Sequence, residues 1–150
     1  MSKSRVFALA LVAVAVLFGL VQLVPYGHDH NNPPVQQEPA WASPQTRELA
    51  ARACFDCHSN ETRWPWYSSV APVSWLVQRD VDEGRRRLNF SEWQGFIQGE
   101  EGRRGGLNEL TEITQEGEMP PAIYLLMHAD AHLSASEEQQ LIAGFQATFK

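Results

Sequence analysis

The sequence predicts a mainly α-helical domain carried behind an N-terminal transmembrane anchor. Three observations lead there. An apolar run from Val6 to Val24 is broken only by Gly19 and Gln22. Beyond residue 43 the apolar residues recur at intervals of three and four, with turn residues between the runs. No stretch alternates apolar and polar residues as a half-buried strand would.

The opening "MSKSRVFALALVAVAVLFGLVQLVPYGHDH" contains a 19-residue span, close to the ~20 residues that cross a bilayer core. A cleavable signal has an apolar core of about 7 to 15 residues followed by a small-residue cleavage site. The exit here, Gln22-Leu23-Val24-Pro25-Tyr26-Gly27, lacks an Ala-x-Ala pattern, so an uncleaved signal anchor is expected. Lys3 and Arg5 precede the span and Asp29 and Glu38 are the first charges after it. That asymmetry keeps the N-terminus in the cytoplasm. The expected organisation is a cytoplasmic stub over 1–5, the anchor over 6–24, a flexible linker over 25–43 and a folded domain over 44–150. The linker segment "GHDHNNPPVQQEPAWASP" is rich in Pro, Asn, Gln and His without apolar periodicity, and His28 and His30 read as solvated. The remaining length supports one compact core.

Within the domain, Ser43-Pro44 places an N-cap before a proline at the first helical position. Leu49 and Ala53 mark the inward face of that helix. "PVSWLVQRDVDEGRRRL" from Pro72 is the second, with Val73, Leu76, Val77 and Val81 along one face. A short helix follows over Ser91 to Ile97, ended by the glycine-rich "GEEGRRGG". Leu107, Leu110 and Thr114 suggest another, stopped at Gly117. Ser134 to Glu137 forms a capping box, and Leu141, Ile142, Phe145 and Phe149 form the buried stripe of the terminal helix.

Both cysteines lie in "ARACFDCHSN": Cys54 and Cys57, with His58 directly after. A redox dithiol would need a βαβ setting, and none is visible. A structural zinc site would need a second ligand pair, which only His128 and His132 could supply. The third reading is Cys-x-x-Cys-His, the attachment signature of c-type haem, in which two thioethers hold the porphyrin and the histidine coordinates iron. Export by the anchor favours this reading, because an oxidising compartment closes bare dithiols into disulfides but leaves thioethers untouched.

The blocks "CFDCHSNETRWPWYSSVAPVSWLVQRDVDEGRRRLNFSEW" and "GEMPPAIYLLMHADAHLS" resemble the haem-binding domain family of small exported bacterial proteins, which belongs with c-type cytochromes. The resemblance covers about Ala50 to Glu137. It implies one covalently bound haem c in a compact, mainly helical, cytochrome c-like fold, and no settled reaction.

The residues themselves offer a short list for the sixth iron position. Met119, in "GEMPP", follows a helix-ending glycine and precedes two stiffening prolines, a good seat for a thioether ligand. A methionine filling a loop gap is the plainer reading. His128 and His132, four apart, are rivals. Trp64, Trp66, Tyr67 and Trp75 could wall the porphyrin or simply form core. Arg63, then Arg79, are candidate partners for a haem propionate. Arg85, Arg86 and Arg87 read as a solvated run at a helix C-terminus.

Twelve Lys and Arg stand against 18 Asp and Glu, a net charge of −6. Nucleic acid is therefore excluded as a partner and a basic redox protein favoured. The expected function is a membrane-tethered monohaem cytochrome carrying single electrons from the periplasmic face of a bacterial inner membrane. A haem sensor or peroxidase-like protein is the second class and a zinc-binding module the third.

Overall fold

A computed structural model describes residues 2–99 and 105–149. Residues 100–104 of the glycine-rich break, and the side chain of Leu107, lie outside the described residues. The described chain is helical, with one isolated parallel bridge between Gln37 and Glu92 and no strand. It divides into two units, 1–31 with 64–80, and 32–63 with 81–150.

The first unit begins with α1, Lys3–Val21, 19 residues of which none is buried. It is long and apolar enough to cross a membrane or to serve as a signal sequence. The helix stops three residues before the end of the apolar run. At that point Gln22 turns its side-chain amide to the chain, its Nε2 donating to the Ala71 carbonyl and its Oε1 accepting from the Ala71 N–H, both at 2.9 Å. His30, expected to be solvated, donates from Nε2 to the Ser68 carbonyl at 3.0 Å. Its ring stacks on Trp64 with centroids 4.7 Å apart. A 3-10 turn over Trp66–Ser69 leads into α4, Val73–Arg87, whose residues to Asp80 belong to this unit.

The second unit holds α2 (Pro44–Ala53), α3 (Phe55–His58), the rest of α4, α5 (Trp93–Gln98), α6 (Gly106–Gln115), α7 (Ala122–Leu125) and α8 (Ala135–Thr148). Ser43 caps α2, its hydroxyl accepting from the Thr46 N–H at 3.1 Å, and Thr46, Leu49, Ala50 and Ala53 turn inward. α8 carries the expected capping box between Ser134 and Glu137 and buries Leu141 and Phe145. α6 and α2 both pack on α8. The core is aromatic: Phe90 is fully buried, with Phe55, Trp41, Trp93 and Phe145 around it at centroid distances of 5.3 to 6.3 Å. Each such side chain removed from water contributes about 1.5–3 kcal/mol.

The face of α4 differs from its apolar pattern. Val81 is buried as expected, but Val73 and Leu76 are exposed, while Ser74, Gly84 and Leu88 lie inward. Backbone proximity dictates this, since only a glycine at 84 lets the helix approach its neighbour. The arginine run also divides. Arg86 and Arg87 lie outside and pair with Glu83. Arg85 turns in, donating to the Ser59 carbonyl at 2.8 Å, Asn32 Oδ1 at 2.9 Å and Thr62 Oγ1 at 3.0 Å. Residues 32–41, read from composition as part of a tether, carry bonds of their own. The Gln36 and Gln37 N–H groups donate to Ser91, Trp93 donates to Gln37, and Glu38 accepts from both Trp41 and Arg47.

Candidate functional site

Cys54 ends α2 and opens α3. Its N–H still donates to the Ala50 carbonyl at 2.8 Å, but its φ of −125° leaves the helical region and starts a new turn. That turn closes on the Cys54 carbonyl, which accepts from Cys57 at 3.2 Å and from His58 at 2.9 Å. Spacings of three and four then put both sulfurs and the imidazole on one face of a single helical turn. The two intervening residues face elsewhere. Phe55 is buried in the aromatic core, and Asp56 is buried in a polar cluster.

Both cysteines are half-buried. Burial, helped by the neighbouring Cys57, pushes the Cys54 thiol up to about 12. Among the described residues no group of three or more His, Cys, Asp or Glu side chains is placed to hold a metal ion. The zinc set with His128 and His132 therefore finds no geometric support.

His58 is fixed by α4. Its Nδ1 lies 3.1 Å from the Leu88 carbonyl. A carbonyl can only accept, so Nδ1 carries the proton and Nε2 keeps its lone pair. Burial lowers the imidazole's pKa more than the Leu88 and Gly84 carbonyls raise it, which favours the neutral ligand form. Leu88 follows the last residue of α4, where carbonyls have no partner within the helix, so the bond also satisfies a helix end. Gly84, one turn earlier, makes the approach possible: a Cβ there would collide with the Cys57 carbonyl oxygen and sit 2.9 Å from its carbon.

Asp56 accepts from the Arg63 N–H at 3.0 Å, from Arg63 Nε at 3.3 Å and from the Tyr124 hydroxyl at 2.7 Å. Arg63 Nη1 reaches Asp130 at 3.3 Å. The candidate propionate partner thus already faces two carboxylates, with 59 % of its side chain exposed. Tyr124 stacks on His128 with centroids 3.8 Å apart, and His128 Nδ1 donates to the Tyr124 carbonyl at 3.0 Å. Burial first, and then the bond to Asp56, raise the phenol's pKa and keep it a proton donor.

Met119 sits in the loop between α6 and α7, 39 % exposed. Gly117 ends α6 at a φ of +70°, which a side chain would oppose, and the Glu118 N–H closes on the Ile113 carbonyl at 3.0 Å. His132 is exposed, its carbonyl accepting from Arg52. Trp64 belongs to the first unit, where it stacks on His30. Sequence reasoning missed Asp56, Gly84, Leu88 and Tyr124. Only Gly84, a glycine inside a helical run, carried a local signal.

Two cysteines and an imidazole with Nε2 unprotonated, presented by one turn, are a donor set that would suit attachment and coordination of a haem. The model of the haem-binding domain family matches residues 16–147. The chain belongs to that family. As a haem-binding domain protein it is also similar to the cytochrome c peroxidase of Escherichia coli K12, 24 % identical over 148 residues. The alignment covers 93 % of this chain and 31 % of the relative, so the chain spans about a third of that protein's length. No solved structure matches the chain.

Proposed function

We propose that this haem-binding domain protein is a membrane-tethered monohaem c-type cytochrome that relays single electrons between redox proteins. Cys54 and Cys57 would hold the haem by thioethers, His58 Nε2 and Met119 would coordinate its iron, and Arg63 and Trp64 would contact the cofactor. When bound, the haem iron supplies a one-electron couple. The observation that supports the reading is the bond between His58 Nδ1 and the Leu88 carbonyl, which leaves Nε2 unprotonated in the turn that carries both cysteines.

The chain's own residues have four tasks. Phe55 roots the turn in the aromatic core, against which Cys54 also packs. The Leu88 carbonyl fixes the imidazole tautomer and strengthens it as a donor. A neutral thioether from Met119 would favour the reduced state and so raise the potential. α1 would span the inner membrane, with Lys3 and Arg5 on the cytoplasmic side and the domain in the periplasm. The net charge of −6 favours basic redox partners over nucleic acid.

A second reading, a peroxidase-like or small-molecule-binding haem protein, is favoured by the similarity to a cytochrome c peroxidase. It requires an iron with an exchangeable sixth position.

Expression of the full chain with the haem-attachment machinery tests the proposal. Haem should remain with the polypeptide through acid-acetone extraction and stain on a denaturing gel, and Cys54→Ala with Cys57→Ala should abolish both. A colourless protein with stoichiometric zinc would overturn it. Rapid carbon monoxide binding by a high-spin, unsubstituted protein would transfer the assignment to the second reading.

A further inference from the structure

We infer that Tyr124 is a positioning residue whose hydroxyl, through Asp56, holds the Met119 loop in register with the Cys54–His58 turn. The inference rests on the proposed ligation by Met119 and adds to it the device that keeps that ligand in place.

The loop is fastened at both ends. Upstream, Gly117 and Glu118 close on α6 through bonds to Thr114 and Ile113 at 3.2 and 3.0 Å, and α6 is anchored by the buried Leu110 and Thr114. Downstream, Pro120 and Pro121 have restricted φ, and α7 opens with the Tyr124 and Leu125 N–H groups on the Pro121 carbonyl at 2.9 and 3.2 Å. Met119 is therefore joined to Tyr124 by four residues, Pro120 to Ile123, with little slack.

α7 has no buried residue of its own. Ile123 in α7 and Leu126 and Met127 just after it are exposed and Leu125 is only half-buried, so no fully buried apolar side chain sets the position of α7. The side chain that ties it down is Tyr124, by its 2.7 Å bond to Asp56. The ring is braced from behind by its stack on His128, whose Nδ1 donates to the Tyr124 carbonyl. Asp56 is not free to follow a moving partner, since it lies in α3 between the two cysteines and accepts from the Arg63 backbone and side chain. A hydroxyl on a carboxylate is among the stronger hydrogen bonds. Here it joins the helix that follows one proposed ligand's loop to the two-residue spacer beside the other proposed ligand.

Tyr124→Phe in the haem-loaded full chain removes that one oxygen and keeps the ring and its stack. The ferrous variant should bind carbon monoxide about tenfold faster or more, as expected when one charge-assisted hydrogen bond no longer holds the closed state. The ferric variant should lose intensity in the weak far-red sulfur-to-iron charge-transfer band. Phe149→Leu, at the edge of the core, controls for general loosening and should lower the thermal midpoint without changing either signal. Unchanged carbon monoxide kinetics and an unchanged band in Tyr124→Phe would overturn the inference while leaving the Met119 reading intact. Equal changes in Phe149→Leu would also overturn it. Absence of the band from the unsubstituted protein would remove the Met119 reading itself, and the inference with it.

Discussion

The Leu88 carbonyl and the His58 imidazole meet at 3.1 Å across 30 residues of chain. The bond couples two needs. The carbonyls at the end of α4 have no helical partner, and the proposed role of His58 as a ligand needs its second nitrogen engaged if the first is to be presented in one orientation. α4 can reach this place only because residue 84 has no side chain.

Gly84→Ala should therefore destabilise the protein by about 1–3 kcal/mol, the usual cost of overpacking, in spite of alanine's better helix propensity. Gly95→Ala is the comparison. Nothing lies within 4 Å of a Cβ at that position in α5, so it should be neutral or stabilising by up to about 1 kcal/mol. Urea denaturation of both variants checks the difference. A tolerated Gly84→Ala would show that α4 can shift without cost to the turn.

Met119→Ala should abolish the sulfur-to-iron band, lower the midpoint potential and admit carbon monoxide to the iron, since a thioether ligand favours the ferrous state. Met119→His should keep the iron six-coordinate at a lower potential. If His128→Ala or His132→Ala yields the ligand-accessible form while Met119→Ala leaves the spectrum unchanged, the second ligand is an imidazole. Optical titration in redox mediators decides between them.

Acid should loosen the start of α8 before the core melts. Glu137 is drawn from an ordinary carboxylate value of 4.5 to about 2, first by Arg52 and then by its bonds to Ser134. A lowered folded-state pKa means that the unfolded chain binds the proton first. The contribution is complete above about 4.5 and disappears as the pH falls toward about 2. The far-ultraviolet circular dichroism of the native protein should show a corresponding loss over that window. Glu137→Gln should remove the pH dependence and start from lower stability.

The anchor reading predicts that the mature chain begins at its own N-terminus and sediments with membranes, released by detergent and not by high salt. Intact mass and fractionation test this. A soluble product that begins downstream of α1 would make that helix a cleaved signal.

What could be read in the sequence was local. The capping box at Ser134 and the N-cap at Ser43 stand where the spacing puts them, and of the expected stripe Leu141 and Phe145 are buried while Ile142 and Phe149 are half-buried, because each depends on neighbours within one or two turns. The face of α4 was only half legible. Apolar spacing selected Val73 and Leu76, whereas the helix is positioned by Gly84 and Leu88 through backbone contacts that hydrophobicity does not encode. Asp56 and Tyr124 are 68 residues apart, and no pattern in either segment announces the other. His30, placed in a polar run, is held by Trp64 and Ser68 for the same reason.

The pair between the cysteines has a consequence for protein engineering. In a Cys-x-x-Cys-His signature the two unspecified positions pass as interchangeable filler, but in this chain they are the turn's foundations. Phe55 roots it in the aromatic core and Asp56 ties it to Arg63 and Tyr124. Transplanting a spacer from an unrelated chain would preserve both cysteines and the histidine and still leave the turn unmoored. Conversely, moving Cys54–His58 alone into a new scaffold would transfer the reactive groups without their orientation.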